Sequence, residues 1–172
     1  MIRVSTINRE PEIPVQVRVG VGELYVSRNS NEVLTTYGLG SCVAVAAYDG
    51  VACVGGLAHI QLPEHRGPVA GDAESVWAYA EYGVPELISQ MYAAGAMRER
   101  LNVALAGGAT VADPDKYFQI GRKNVLAVKR VLWQHGLIPS RQSVGGTFWR
   151  TVKLNVGTGR ISIQSPEGYE EL

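Results

Sequence analysis

Two apolar runs, residues 42–48 and 51–60, flank Asp49 and Gly50, and no other feature restricts the fold of this chain as much. An Asp-Gly pair between runs rich in Val and Ala predicts a β-hairpin, because a tight turn needs the positive φ that Gly adopts without steric cost. The whole stretch 39–62 has the length of a membrane span, yet Asp49, His59 and several glycines interrupt it. It therefore reads as two buried strands, with no membrane insertion.

The remaining chain supplies the layers that would bury such a hairpin. Residues 1–14 are polar, carry two prolines and have no helical or strand period, so they read as a flexible N-terminal arm ahead of a single domain over 15–172. From Val15 to Val21 every odd position is Val, the alternation of a half-buried strand, and residues 23–27 continue it after a glycine break. Residues 74–94 place Val76, Ala80, Val84, Leu87, Ile88 and Met91 at helical spacing, with Pro85 either kinking that helix or opening a second one. Residues 101–106 form a short apolar run ended by Gly107 and Gly108. A second helix over 121–135 aligns Val125, Val128, Val131 and Leu132 and stops at Gly136. Strands over 150–155 and 161–164 flank the Gly157-Thr158-Gly159 turn. This order implies a single-domain α/β fold with a mixed sheet containing antiparallel hairpins, and it disfavours a purely parallel, doubly wound sheet.

Composition removes several functions. Sixteen Lys and Arg balance sixteen Asp and Glu, so the basic field on which nucleic-acid binders depend is missing. The chain start has no sustained apolar segment of a secretion signal, so a cytoplasmic location and free thiols at Cys42 and Cys53 are expected. No Cys or His spacing suits a metal site, and Gly38-Leu39-Gly40 lacks the third glycine of a dinucleotide fingerprint, so no cofactor is expected.

What chemistry the chain offers centres on Cys42 and His59. If Asp49 and Gly50 alone form the hairpin loop, Cys42 faces Leu57 and His59 lies on the diagonal; if residues 49–52 form it, Cys42 faces His59 directly. Both loops are even, so both put thiol and imidazole on one face, with Cβ atoms about 5 Å or about 7 Å apart. An odd loop or a bulge would separate them. Ahead of Cys42, Gly40 and Ser41 are the candidates for turning backbone amides toward a substrate oxyanion. Each residue has a plainer reading: Cys42 as a small core hydrophobe, His59 as a bonded core histidine, Thr36 as a loop or strand-end hydroxyl. Cys53, between Ala52 and Val54, reads as a buried core thiol. An imidazolium beside Cys42 would lower its pKa, so at neutral pH Cys42 is expected to react with a small alkylating reagent well before Cys53.

Thr36-Tyr-Gly-Leu-Gly-Ser-Cys42, followed by Gly55-Gly-Leu-Ala-His59 and Leu62-Pro63, resembles CheD, the chemoreceptor glutamine deamidase family. The similarity continues through Ala106-Gly-Gly-Ala109, Ile120-Gly-Arg-Lys-Asn124, Val144-Gly-Gly146 and Thr158-Gly-Arg160. The resemblance implies a compact, layered α/β sandwich and a protein-glutamine glutaminase with a Cys42-His59-Thr36 triad, in which the Thr36 hydroxyl orients the imidazole. It implies the cytoplasmic domains of methyl-accepting chemoreceptors as substrate and a CheC-type phosphatase as a further partner. Methylesterase activity at the same site, and a receptor-activating, phosphatase-binding module without turnover, are the alternative readings. Bulky Phe148 and Trp149 depart from the smaller residues usual in relatives.

Overall fold

The computed structural model describes residues 13–65, 76–110 and 119–172. The arm expected over 1–14 therefore falls, except for its last two residues, outside the described residues. The chain runs β1 (Val15–Arg18), β2 (Leu24–Ser27), β3 (Glu32–Leu39), β4 (Val43–Asp49), β5 (Val54–Ile60), α1 (Ala80–Ala93), β6 (Asn102–Gly107), α2 (Ile120–Gln134), β7 (Arg141–Val144), β8 (Arg150–Asn155), β9 (Ile161–Ser165) and β10 (Gly168–Glu171).

These strands form two five-stranded sheets rather than one. The first has the order β1-β3-β8-β9-β10 and the second β2-β5-β4-β6-β7. Each is mixed: β1 with β3 and β6 with β7 are parallel, while the other neighbours are antiparallel. The sheets stack face to face, and α1 and α2 cover the outer face of the second, giving the layered α/β sandwich that the family resemblance implies.

This layering explains why residues 43–60 read as apolar runs instead of alternating ones. The second sheet is covered on both faces, so both faces of its central strands must be apolar. In β4, Val43, Val45 and Ala47 pack into the core under the helices, whereas Ala44 and Ala46 face the other sheet. There, small side chains let Leu34, Leu57 and Leu154 fill the space between sheets. Burying each such leucine contributes about 1.5–3 kcal/mol.

The β4–β5 hairpin forms, with a different loop from either one expected. Asp49 pairs with Val54, leaving residues 50–53 as the loop. Asp49 ends β4 with its carboxylate buried and accepts the N–H groups of Val51 (2.9 Å), Ala52 (3.1 Å) and Met97 (2.9 Å). Arg100 closes the set at 2.9 Å, and its hydrogen bond is the main reason the carboxyl sits well below the usual carboxylate range. An Asp that satisfies loop amides from the strand end makes the loop longer than Asp-Gly alone requires. Cys53 consequently lies in the loop, exposed and at φ 52, which corrects its reading as a buried core thiol.

Two further differences concern the helix at 74–94 and residues 32–39. The described part of the first is a single helix, α1, that carries Pro85 inside it. Residues 66–75 lie outside the described residues. Residues 32–39, which show no clear alternation, form a strand paired on both sides, so Thr36 is a buried strand residue and not a loop hydroxyl.

Candidate active site

Strand β3 brings Thr36 to the space between the sheets. Thr36 pairs with Val152 and Leu39 with Arg150, so the register shifts by one residue between them. Gly38, at φ 65, takes up that extra residue, a conformation glycine adopts without strain. The bulge ends regular pairing directly after Thr36 and carries the chain into Gly40, Ser41 and Cys42, outside any strand.

His59 enters the same space from the other sheet. Its ring is 2 % exposed, and Nδ1 lies 2.7 Å from Thr36 Oγ1, a buried bond that joins the two sheets. The His59 N–H donates to Glu23 O at 2.9 Å, fixing the backbone beneath the ring. His59 Nε2 is buried and has no hydrogen-bond partner among the described residues. Burial lowers the imidazole pKa to about 4, with the Glu23 carboxylate opposing the shift more weakly. The ring is neutral at neutral pH. In the tautomer whose Nδ1–H donates to Thr36 Oγ1, Nε2 carries the lone pair that can accept a proton.

Cys42 lies on the same side of the second sheet as His59. Its half-buried side chain packs against the inter-sheet core that includes Ala44, Leu57 and Leu154. Val43 pairs with Ile60 and Ala44 with His59, so one step beyond the ladder Cys42 is level with Gln61 and diagonal to His59. Although neither expected loop is present, the actual loop also has an even number of residues, and parity keeps thiol and imidazole on one face. No hydrogen bond joins Cys42 Sγ to the imidazole in this resting arrangement. Burial raises the thiol pKa, and the residue's own N–H opposes that more weakly. An imidazolium that lowers the thiol pKa is thus not the resting state: both groups are neutral, because burial penalises the charged form of each.

The approach to Cys42 is held by its carbonyls. Gly40 O accepts the Ala109 N–H at 2.8 Å and Cys42 O accepts the Gly108 N–H at 2.7 Å. Gly107, at φ 107, passes so close that an added Cβ would meet Cys42 O at 2.2 Å. Between these, Ser41 O accepts the buried side chain of Asn124 at 2.8 Å. Gly40 and Ser41 thus contribute anchored backbone beside the thiol. The Asn124 contact was not anticipated, although a polar residue on the apolar face of a helix was the signal for it.

Gln61 also lines a groove of about 630 Å³ with Arg18, Val19, Glu23, Tyr25 and Trp77, open to solvent beside the site. Phe148 is stacked by the Arg150 guanidinium at 4.4 Å, while Trp149 is exposed. Among the described residues no cluster of three His, Cys, Asp or Glu side chains could hold a metal ion, and no helix is long and apolar enough to cross a membrane.

Comparison with known proteins shows what the chain as a whole is similar to. The family model described as CheD chemotactic sensory transduction matches residues 61–165, more than half of the chain. A probable chemoreceptor glutamine deamidase CheD of Solibacter usitatus is 40% identical over 157 residues, 91% of this chain and 93% of that protein. The chemoreceptor glutamine deamidase CheD of Thermotoga maritima is 38% identical over 154 residues, 90% of this chain and 94% of that protein. Since 172 − 157 leaves 15 residues, the Solibacter match cannot omit the segment holding Thr36, Cys42 and His59. A solved structure, the hypothetical protein YfiH of Bacillus licheniformis, has a TM-score of 0.42 and 13% identity, covering 72% of this chain and 49% of that one, too slight a likeness to carry an argument.

Proposed function

This chain belongs to the CheD family, and on that premise we propose that it deamidates glutamine side chains of bacterial chemoreceptors, with Cys42 as nucleophile, His59 as base and Thr36 as the group that orients it. The observation that carries this reading is the 2.7 Å bond between Thr36 Oγ1 and His59 Nδ1, which leaves Nε2 as a buried, unused acceptor on the Cys42 face. Most core histidines that serve structure alone have both nitrogens satisfied.

The reaction begins with a neutral pair. As Cys42 Sγ attacks the carboxamide carbon of a receptor glutamine, its proton passes to His59 Nε2, and the carbonyl oxygen becomes an oxyanion held by backbone N–H groups around Ser41 and Cys42. Transfer during attack avoids a buried ion pair in the resting protein, which the opposed pKa shifts of Cys42 and His59 both disfavour. His59 then gives its proton to the departing nitrogen, ammonia leaves as the C–N bond breaks, and a thioester remains. Water, deprotonated by the same Nε2, attacks the thioester; the S–C bond breaks, the thiol regains its proton and glutamate is released.

In this reading the substrate is the cytoplasmic domain of a chemoreceptor, which locates the protein in the cytoplasm, and a CheC-type phosphatase docks over the Cys42 face. The domain then comprises residues 15–172. The test incubates purified receptor cytoplasmic domains with the protein and maps their peptides, with and without hydroxylamine. Glutamate at former glutamine positions, with ammonia released, and hydroxamate when hydroxylamine intercepts the thioester, are the expected results. Receptor glutamines left intact by the folded protein would overturn the reading.

A further inference from the structure

Asn124 is fully buried on α2, and its Nδ2 donates to two carbonyls, Ser41 O at 2.8 Å and Gln61 O at 2.8 Å. Ser41 precedes Cys42, and Gln61 lies two residues after His59. One carboxamide thus bridges the two chain segments that carry the thiol and the imidazole, at the point where their strand pairing stops. Its Oδ1 has no partner among the described residues, so the side chain is used only as a donor. Leaving a buried acceptor unpaired costs about 1–3 kcal/mol. Packing alone would be served as well by an apolar residue, like Val125 and Val128 on the same helix.

The contact to Ser41 O also determines where the next amide points. No peptide bond in the described chain is cis, so the Ser41 C=O and the Cys42 N–H point in opposite directions across one planar unit. Asn124 holds that C=O toward the helix layer. The Cys42 N–H is therefore turned away from α2, toward the side on which the thiol lies. It donates to no acceptor other than its own sulfur among the described residues. The neighbouring peptides cannot rotate to compensate, because the Gly40 and Cys42 carbonyls are tied by Ala109 and Gly108.

We infer that Asn124 is a positioning residue: its carboxamide fixes the plane of the Ser41–Cys42 peptide so that the Cys42 N–H is presented, without an acceptor from any other residue, to the oxyanion that forms on attack. This rests on the reading of Cys42 as nucleophile. An amide aimed before the reaction stabilises the developing charge without reorganisation, whereas a free peptide would have to be turned during it.

The experiment compares the wild-type protein with Asn124→Leu, which keeps the branched shape and removes the donors, and Asn124→Ser, which keeps one donor. Folding is followed by circular dichroism, deamidation of a receptor domain by peptide mapping, and Cys42 access by iodoacetamide labelling. Asn124→Leu is expected to lower kcat by about 10- to 100-fold, with KM and the Cys42 labelling rate within about threefold of wild type and Asn124→Ser intermediate in kcat. Undiminished kcat in folded Asn124→Leu, or kcat and labelling falling together, overturns the inference. A second arm needs no variant: in the wild-type protein the Cys42 amide proton should exchange readily with solvent when free and become protected once a glutamine-like peptide aldehyde is bound to the thiol. Protection already present in the free protein, or none gained in the adduct, overturns it equally. Failure of the wild-type protein to deamidate would strike the functional reading instead, so the two failures are distinguishable.

Discussion

Thr36 Oγ1 and His59 Nδ1 lie 2.7 Å apart across the interface of the two sheets, one on β3 and the other on β5, and both residues are buried. The orientation of the imidazole therefore depends on how the sheets stack, and not only on the hairpin that carries His59. Removing the hydroxyl frees the ring to rotate and leaves Nδ1 buried without a partner. Thr36→Val, close in shape, is expected to lower kcat by about 10- to 100-fold and destabilise the fold by about 1–3 kcal/mol, while Thr36→Ser retains most activity. Steady-state kinetics and urea unfolding of both variants check this; equal activity in Thr36→Val contradicts the orienting role.

The neutral His59 sets the pH response. Its pKa falls from 6.5 to about 4 on folding, so between these values the unfolded chain binds a proton that the folded chain refuses. Stability from this group is whole above about pH 6.5 and is lost as pH falls, by about 3 kcal/mol once pH is below 4. A base that stays unprotonated also keeps kcat/KM level well below pH 6.5, with the acid limb set by the lower value or by unfolding. Measurement of kcat/KM from pH 4 to 8 checks this, and an acid limb centred at 6.5 contradicts it.

Exposure argues for the opposite order of thiol reactivity to the one expected from strand alternation. Cys53 is exposed in the hairpin loop, while Cys42 is half-buried and its thiol pKa is raised by that burial. A small alkylating reagent should therefore label Cys53 first at neutral pH, and peptide mapping reads the order directly. Earlier labelling of Cys42 would mean a resting thiolate, in conflict with a neutral Cys42-His59 pair.

Asp49 is the group on which the hairpin loop depends. It satisfies three backbone N–H groups and pairs with Arg100 from a fully buried position. Asp49→Ala is expected to cost about 3–5 kcal/mol, since it leaves those donors and a guanidinium without their acceptor. Denaturant unfolding tests this, and a loss below about 1 kcal/mol, the range of an exposed ion pair, contradicts it.

The hairpin, both described helices, β6 and the β8–β9 pair were legible because each has its own period or turn signal. The shared face of Cys42 and His59 was legible for the same reason: it depends only on loop parity, which survived the change of loop to residues 50–53. Thr36 was harder. Its strand has no clean alternation, since Val33 and Leu34 are both buried and the Gly38 bulge breaks the pattern, so only the family resemblance singled it out. The division into two sheets was not legible, because periodicity within a strand carries no information about which distant strand it joins. Cys53 was misread because its apolar neighbours suggested a strand, when Asp49 recruits Val51 and Ala52 into a capped loop instead. Asn124 was visible as a polar residue on an apolar helix face, but its partners, Ser41 and Gln61, come together only in the folded chain.

The central claim is that Cys42 carries out deamidation, and the most direct measurement is peptide mapping of one receptor cytoplasmic domain treated in parallel with wild-type protein and Cys42→Ala. Circular dichroism and urea unfolding first establish that the variant is folded. The account predicts that the wild-type protein converts specific glutamines to glutamates, each marked by the mass change of exchanging an amide for a carboxyl group, while Cys42→Ala leaves the same peptides unchanged. A folded Cys42→Ala protein that converts those glutamines at the wild-type rate would contradict it.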